Sequence, residues 1–145
     1  MNADELERRI AGFPYWYHRI ELTDGVVTPG WAPIDAASYR IPDDLSGKRV
    51  LDIGAWDGYW SFEALKRGAV QVVAIDDFSD YVGHLETEDR KAWETFDLCR
   101  EALGYDEQQC QRQQRRNRQY SAHVHAKQAR RHSCFPSILI VTFFT

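Results

Sequence analysis

The sequence has few cysteines and no long apolar segment, and both shortages restrict the class of protein. Its three cysteines, Cys99, Cys110 and Cys134, are an odd number at no metal-ligand spacing, which is typical of free thiols in a reducing compartment. The one strongly apolar run, 138–144, is far shorter than the roughly 20 residues of a membrane-spanning helix. The acidic N-terminus lacks the basic and then apolar stretches of a secretory signal. These features predict a cytoplasmic protein without a membrane span.

Acidic residues are also missing from one part of the chain. All 22 Asp and Glu residues precede residue 108, whereas 108–145 contains seven Lys and Arg and no acid. The basic run within this part has no periodic apolar positions. We therefore expect a helix and an aromatic arm over 1–47, an ordered half-domain over 48–111, and a tail over 112–145 that is disordered or frame-shifted.

The first 47 residues are rich in aromatic rings and poor in strand pattern. Apolar residues at helical spacing predict a short helix over 3–11. The Gly, Pro and Asp content of 25–42 favours turns, so this stretch is interpreted as an arm and not as part of a core. For His18 and Arg19 we expect an exposed pair. Four aromatic residues are interpreted as packing residues rather than as ligand contacts, namely Trp16, Tyr17, Trp31 and Trp60.

The middle of the chain alternates between strand and helix patterns. A buried strand at 50–53 is followed by two glycines and then by apolar residues at helical spacing over 59–65. A second buried strand at 70–75 precedes a second helical stretch that Gly104 can end. Consecutive strands joined by helices imply parallel pairing with right-handed crossovers. The sequence therefore predicts an α/β fold of β-α-β-α order.

The loop after the first strand and the acid after the second are expected to be neighbours. Ligands of parallel sheets bind beyond the carboxyl ends of the strands, where the loop 54–58 and Asp76 would both emerge. Gly54 permits a sharp turn and a close backbone approach to a ligand, and Gly58 lets the helix begin close by. Asp76 is placed to accept hydrogen bonds from two ribose hydroxyls. This arrangement predicts a nucleoside site.

The same loop lacks the residues that bind phosphate groups. A dinucleotide loop needs glycine where Trp56 stands, and no Gly-Lys-Ser or Gly-Lys-Thr sequence is present. A nucleoside cofactor that needs no phosphate cradle fits better, and S-adenosylmethionine (SAM) is such a cofactor. Asp52, beside the loop, offers a negative charge to compensate the sulfonium and amino-acid end of SAM.

The strand and loop sequence 50–58, together with 73–76, resembles motifs one and two of class I SAM-dependent methyltransferases. Four further stretches resemble bacterial proteins similar to the tRNA wobble-uridine methyltransferases, which act on 5-hydroxyuridine derivatives. These stretches are Phe13-Pro14-Tyr15-Trp16-Tyr17-His18, Val27-Thr28-Pro29-Gly30, Asp44-Leu45-Ser46-Gly47-Lys48-Arg49 and Gly58-Tyr59-Trp60-Ser61-Phe62-Glu63. The resemblance covers about residues 10–111. It implies a partial Rossmann-like class I methyltransferase fold whose C-terminal half is missing or replaced.

The resemblance also implies a cofactor site. Ordinary SAM is the expected cofactor, because Tyr17, His18 and Arg19 stand where the enzymes that use carboxylated SAM have lysine. The aromatic arm is implied to help cover the site. The family's later strands, which carry a Tyr-His pair near the methyl acceptor, have no counterpart here, so no catalytic residue is assigned. The residues implied to line the SAM site are Asp52, Gly54, Ala55, Trp56, Gly58 and Asp76.

Three functions remain open at this point. The first is methyl transfer from SAM to an acceptor such as tRNA or a small molecule. The second is an inactive or merely cofactor-binding fragment, because the acceptor side of the site is missing. The third and weaker one is an RNA-binding accessory that uses the basic run 112–118.

Several other residues are given a structural interpretation. Asp57 is expected to favour the helix N-terminus and Asp77 to be a solvated loop acid, so both are left out of the site. No metal site is expected, because the spacing of His123, His125, His132 and Cys134 fits no zinc pattern. We also expect self-association through an exposed sheet edge.

Overall fold

The computed structural model describes residues 1–32, 34, 39–76, 92–114 and 142–144. The elements are α1 (Ala3–Ala11), a 3-10 turn (Thr23–Gly25), β1 (Arg49–Ile53), α2 (Tyr59–Lys66), β2 (Gln71–Asp76), α3 (Ala92–Ala102), β3 (Cys110–Gln114) and β4 (Thr142–Phe144).

The strands form one open sheet in the order β3-β2-β1-β4. β1, β2 and β3 are parallel, with Val50 opposite Val72 and Val72 opposite Cys110. β4 pairs with β1 in the antiparallel direction. The predicted α/β fold with parallel strands joined by helices is therefore confirmed at this level. Part of the apolar run 138–144 supplies the fourth strand.

β3 ends at Gln114. It therefore extends past residue 111, at which the composition of the sequence predicts the end of the ordered half-domain. Arg112, inside β3, forms an ion pair with Asp97 of α3 at 2.8 Å. Its guanidinium also lies 5.8 Å from the centre of the Trp93 ring, a cation–π arrangement. Residues 112–114 are thus part of the sheet. Most of the expected tail, 115–141, lies outside the described residues.

The helices begin and end at residues that local chemistry selects. The side chain of Asn2 accepts a hydrogen bond from the N–H of Glu5 and caps α1. Gly68, with a φ of 94°, closes the end of α2 in the left-handed conformation. Gly104 does the same after α3, with a φ of 75°.

The arm contributes to the hydrophobic core, so the interpretation of 25–42 as lying outside the core is wrong for part of its length. Val26 and Thr28 are buried. The chain turns back on itself here: the N–H groups of Leu22 and Thr28 donate to the carbonyls of Val26 and Ile20, respectively. This turn lets a segment rich in Gly and Pro bury its apolar side chains.

The two faces of the sheet differ in how well they are covered. Burial alternates along β2, and its even-numbered residues Val72, Ala74 and Asp76 are buried. The opposite face is only partly buried. We call this surface the open face, and its residues are Leu51, Ile53, Val73 and Ile75.

Candidate functional site

The loop between β1 and α2 turns tightly at the carboxyl ends of β1 and β2. The N–H of Gly54 donates to the carbonyl of Ile75 at 2.8 Å, which continues the strand pairing by one residue. Gly54, Trp56 and Gly58 all have a left-handed φ, of 80°, 53° and 93°. Trp56 is the residue for which this conformation is uncommon, and a hydrogen bond from its backbone helps to hold it there.

The acceptor of that hydrogen bond is the acid at the end of β2. The Oδ2 atom of Asp76 accepts the N–H of Trp56 at 2.8 Å. Asp76 is 5% exposed and Trp56 is 3% exposed. The expected proximity of the loop to Asp76 is therefore confirmed. The contact is a direct one between the carboxylate and the loop backbone.

Asp52 lies beneath this loop as a buried carboxylate with one hydrogen bond. Its Oδ2 atom accepts the hydroxyl of Ser61 at 2.6 Å, and its Oδ1 atom has no hydrogen-bond partner. Burial raises the pKa of Asp52 from 3.8 to about 6, against the opposing effects of the Ser61 hydroxyl and of His18. Asp52 is therefore an acceptor that the protein itself leaves incompletely paired.

Asp57 has a larger role than the sequence indicated. Its Oδ2 atom accepts the backbone N–H groups of Tyr17 and His18, each at 2.9 Å, and its Oδ1 atom pairs with Nδ1 of His18. Asp57 is 2% exposed. It joins the loop to the arm, and this contact spans about 40 residues of chain.

The expectation of an exposed pair at His18 and Arg19 is wrong for His18, which is buried, whereas Arg19 is exposed. A signal for this burial was present in the sequence. The alternating positions Trp16, His18, Ile20 and Leu22 are all buried, as in an extended segment with one face on a core.

The arm places aromatic rings over the loop. The ring of Tyr17 stacks on Trp56, with 4.7 Å between ring centroids and an interplanar angle of 20°. The Nε1 atom of Trp31 donates to the hydroxyl of Tyr15 at 2.7 Å. Trp16 and Trp60 are buried, as expected of packing residues, and Trp31, although 58% exposed, packs edge-on against the ring of Tyr17 with 5.6 Å between ring centroids.

Thr28 and Gly30 explain how the arm bends back on itself. The Oγ1 atom of Thr28 accepts the N–H of Ile20 at 2.8 Å and donates to the carbonyl of His18 at 2.7 Å. A Cβ atom on Gly30 would lie 2.1 Å from the carbonyl oxygen of His18. Only glycine permits this backbone approach. The bend therefore explains why glycine stands at the end of the stretch 27–30.

Gly58 is constrained by packing. A Cβ atom at this position would lie 2.5 Å from the ring of Phe62 and 2.7 Å from that of Phe96. The space in which a side chain at residue 58 would lie is thus already filled by two phenylalanine rings. Gly58 positions α2 against α3.

The six residues implied to line a cofactor site lie together at this edge of the sheet. Asp52 is in β1, Gly54 to Trp56 form the loop, Gly58 precedes α2 and Asp76 ends β2. All of them are buried except Gly54, which is partly buried. Asp57 and His18 adjoin this group and were missed by sequence reasoning.

A separate cavity of about 270 Å³ lies between the arm and α2. Its lining carries charges of both signs, from Arg19 and Lys66 and from Glu21 and Glu63. Mixed charges of this kind select no ligand of a single sign.

Comparison with known proteins yields neither a matching family model nor a matching curated protein. In the part of the chain that the structure describes, no three His, Cys, Asp or Glu side chains are grouped as metal ligands. The residues considered as zinc ligands, His123, His125, His132 and Cys134, lie outside the described ranges. None of the helices described is long and apolar enough to cross a membrane.

Proposed function

We propose that this edge of the sheet binds SAM as part of a Rossmann-like class I methyltransferase fold, and that the function is SAM-dependent methyl transfer. The observation that carries the proposal is the Oδ1 atom of Asp52, a buried carboxylate oxygen without a hydrogen-bond partner beside a glycine-containing loop. An acceptor left unpaired in a protein interior is costly unless a ligand pairs with it.

The charge balance of the site favours a ligand that carries positive charge. Three buried carboxylates meet here: Asp57 accepts two N–H groups and pairs with His18, and Asp76 accepts the N–H of Trp56. Asp52 has one hydroxyl. The sulfonium and ammonium groups of SAM would compensate this excess of negative charge.

The loop suits a nucleoside better than a dinucleotide. Trp56 fills the position at which a glycine would let the backbone approach a pyrophosphate, and its ring is stacked beneath Tyr17. SAM, when bound, supplies an electrophilic methyl group. The chain's own residues would bind and orient it: Asp76 by accepting ribose hydroxyls, Asp52 by facing the cationic end, and the arm by excluding water.

Calorimetry in buffers of different ionisation enthalpy tests this proposal. A cation bound beside Asp52 lowers the pKa of that carboxyl, so at pH 6 binding of SAM should release a fraction of a proton. Asp52→Asn should weaken binding and abolish this proton release. ATP and NAD serve as controls and should not bind. A folded chain that binds neither SAM nor S-adenosylhomocysteine would refute the proposal.

A cofactor-binding chain without turnover is the second candidate. It is supported by the sheet, because only three parallel strands are present among the described residues and a methyl-acceptor site has to be built from further elements. The first candidate, methyl transfer, also requires a methyl acceptor, which is tRNA or a small molecule. Methyl transfer from labelled SAM to bulk tRNA and to small-molecule pools distinguishes the two candidates.

A further inference from the structure

The arm is fastened to the loop at one buried point. The carboxylate of Asp57 accepts two backbone N–H groups of the arm, and it also pairs with the ring of His18. Hydrogen bonds to a charged acceptor are the stronger kind. The bend at Thr28 and Gly30 adds contacts within the arm but none to the loop. Asp57 therefore fixes where the segment of Tyr17 and His18 lies against the loop.

This fastening sets the position of the ring that covers the loop. Tyr17 supplies one of the N–H donors to Asp57, and its ring stacks on Trp56. The backbone of Trp56 is in turn bonded to Asp76. A continuous line of contacts thus runs from Asp57 through two aromatic rings to the carboxylate that would receive the ribose.

The site is closed in this arrangement. A carboxylate that is 5% exposed, as Asp76 is, meets almost no solvent, so a ligand can reach it only after part of its cover has moved. The part of the arm suited to that movement is the segment at Tyr17, because Tyr17 is only partly buried and is held on the loop by one backbone bond to Asp57 and by the stacking of its ring on Trp56.

We propose that Asp57 latches the arm over the loop, and that opening of this latch admits and releases the cofactor. The inference rests on the proposed function. Asp57 acts here as a positioning residue: it acts on the cofactor site through Tyr17 and Trp56.

Two substitutions of Asp57 differ in whether the hydrogen bonds to the arm remain. Asp57→Ala removes all three bonds to the arm. Asp57→Asn retains them, because the amide oxygen accepts both N–H groups and the amide nitrogen donates to Nδ1 of the His18 tautomer that is protonated on Nε2. The alanine variant should release the arm, and the asparagine variant should keep it in place.

The experiment measures dissociation of labelled SAM after addition of excess unlabelled S-adenosylhomocysteine. Asp57→Ala should dissociate at least tenfold faster than the unsubstituted chain, and Asp57→Asn should stay within about twofold. Glu7→Ala, which removes an exposed acid of α1, is the control and should change nothing. Tyr17→Leu, which keeps the backbone bond to Asp57 and removes the stacked ring, should also dissociate faster and carries the test if Asp57→Ala does not fold.

Hydrogen exchange of the ligand-free chain checks the latch without any cofactor. The amides of Tyr17 and His18 should exchange faster in Asp57→Ala than in Asp57→Asn, because their acceptor is gone. Equal dissociation rates in a folded Asp57→Ala chain, or in Tyr17→Leu, would overturn the latch and leave the proposed function intact. An unsubstituted chain that binds no SAM would overturn both, whatever the exchange rates show.

Discussion

Asp76 holds the backbone of Trp56, with 2.8 Å between the carboxylate oxygen and the amide nitrogen. The residue proposed to receive the ribose thus also fixes the loop on which the cofactor would lie. Substitutions at this position change the loop and the ligand contacts together.

We predict that Asp76→Ala greatly weakens binding of S-adenosylhomocysteine and also lowers the thermal stability of the chain. The lost acceptor should cost about 1–3 kcal/mol in binding. Asp76→Asn keeps an acceptor for the N–H of Trp56, so it should restore most of the stability and little of the affinity. Calorimetry and thermal unfolding of both variants measure the two effects.

Asp43→Ala is the control for these variants, because Asp43 is fully exposed and has one distant ion pair, at 3.8 Å from Arg67. Affinity that survives in a folded Asp76→Ala chain would mean that the ribose is not bound there.

The buried carboxyl of Asp52 should make stability fall as the pH rises. Its pKa is about 6 in the folded chain, against an ordinary value of 3.8. Below about pH 3 the group is largely protonated in both the folded and the unfolded states. Between about pH 3 and pH 6 the unfolded chain ionises first, and folding loses about 3 kcal/mol at this site.

Asp52→Asn should therefore be more stable than the unsubstituted chain at pH 8, and the difference should vanish below about pH 3. The amide can still accept the hydroxyl of Ser61. Urea unfolding of both proteins across this range is the measurement, with the exposed-acid variant Asp43→Asn as the control. Parallel stability curves for Asp52→Asn and the unsubstituted chain would show that Asp52 does not titrate differently on folding.

Gly58→Ala should destabilise the chain by more than Gly104→Ala does. Both glycines have a positive φ, of 93° and 75°, so each substitution carries the left-handed cost of about 1–2 kcal/mol. Only at Gly58 would the new Cβ atom meet neighbours, namely Phe62 and Phe96, which adds about 1–3 kcal/mol of overpacking. Chemical denaturation gives the two values.

Shortening one neighbour should relieve part of this cost. In a double-mutant cycle, Gly58→Ala and Phe96→Leu should couple favourably. Additive effects, or equal losses at Gly58 and Gly104, would mean that crowding by the two rings is absent.

The second candidate, a cofactor-binding chain without turnover, predicts that SAM binds without robust methyl transfer and that the chain self-associates. The open face leaves Leu51, Ile53, Val73 and Ile75 only partly buried, and partly exposed apolar surface favours association. Analytical ultracentrifugation across protein concentrations, alongside the methylation assay, is the measurement. Robust turnover by a monomer with a cooperative melt would contradict this prediction.

The order of strands and helices could be predicted because its signals are local. Gly68 and Gly104, both in the left-handed conformation, each end a helix through the conformation of a single residue. Parallel pairing follows from the alternation of strands with helices. Such features depend on neighbours within a few positions of the chain.

The fastening of the arm could not be predicted in the same way. Asp57 and His18 are 39 residues apart, and an acid before a helix is more often a helix-terminal residue than a partner of a distant segment. Gly58 has the same difficulty, because the Phe96 ring that requires it comes from another helix. Only the alternating pattern of positions that includes His18 indicated that this side chain is buried.

The sequence distance between the arm and its acceptor has a consequence during synthesis. A ribosome adds roughly 5–20 residues per second, so the backbone of His18 precedes Asp57, 39 residues later, by roughly 2–8 seconds. Throughout that interval the aromatic segment has been made and its acceptor has not. The contact between the arm and the loop therefore cannot form as the arm is made, and the arm is fastened only after the strand and loop that follow it have been synthesised.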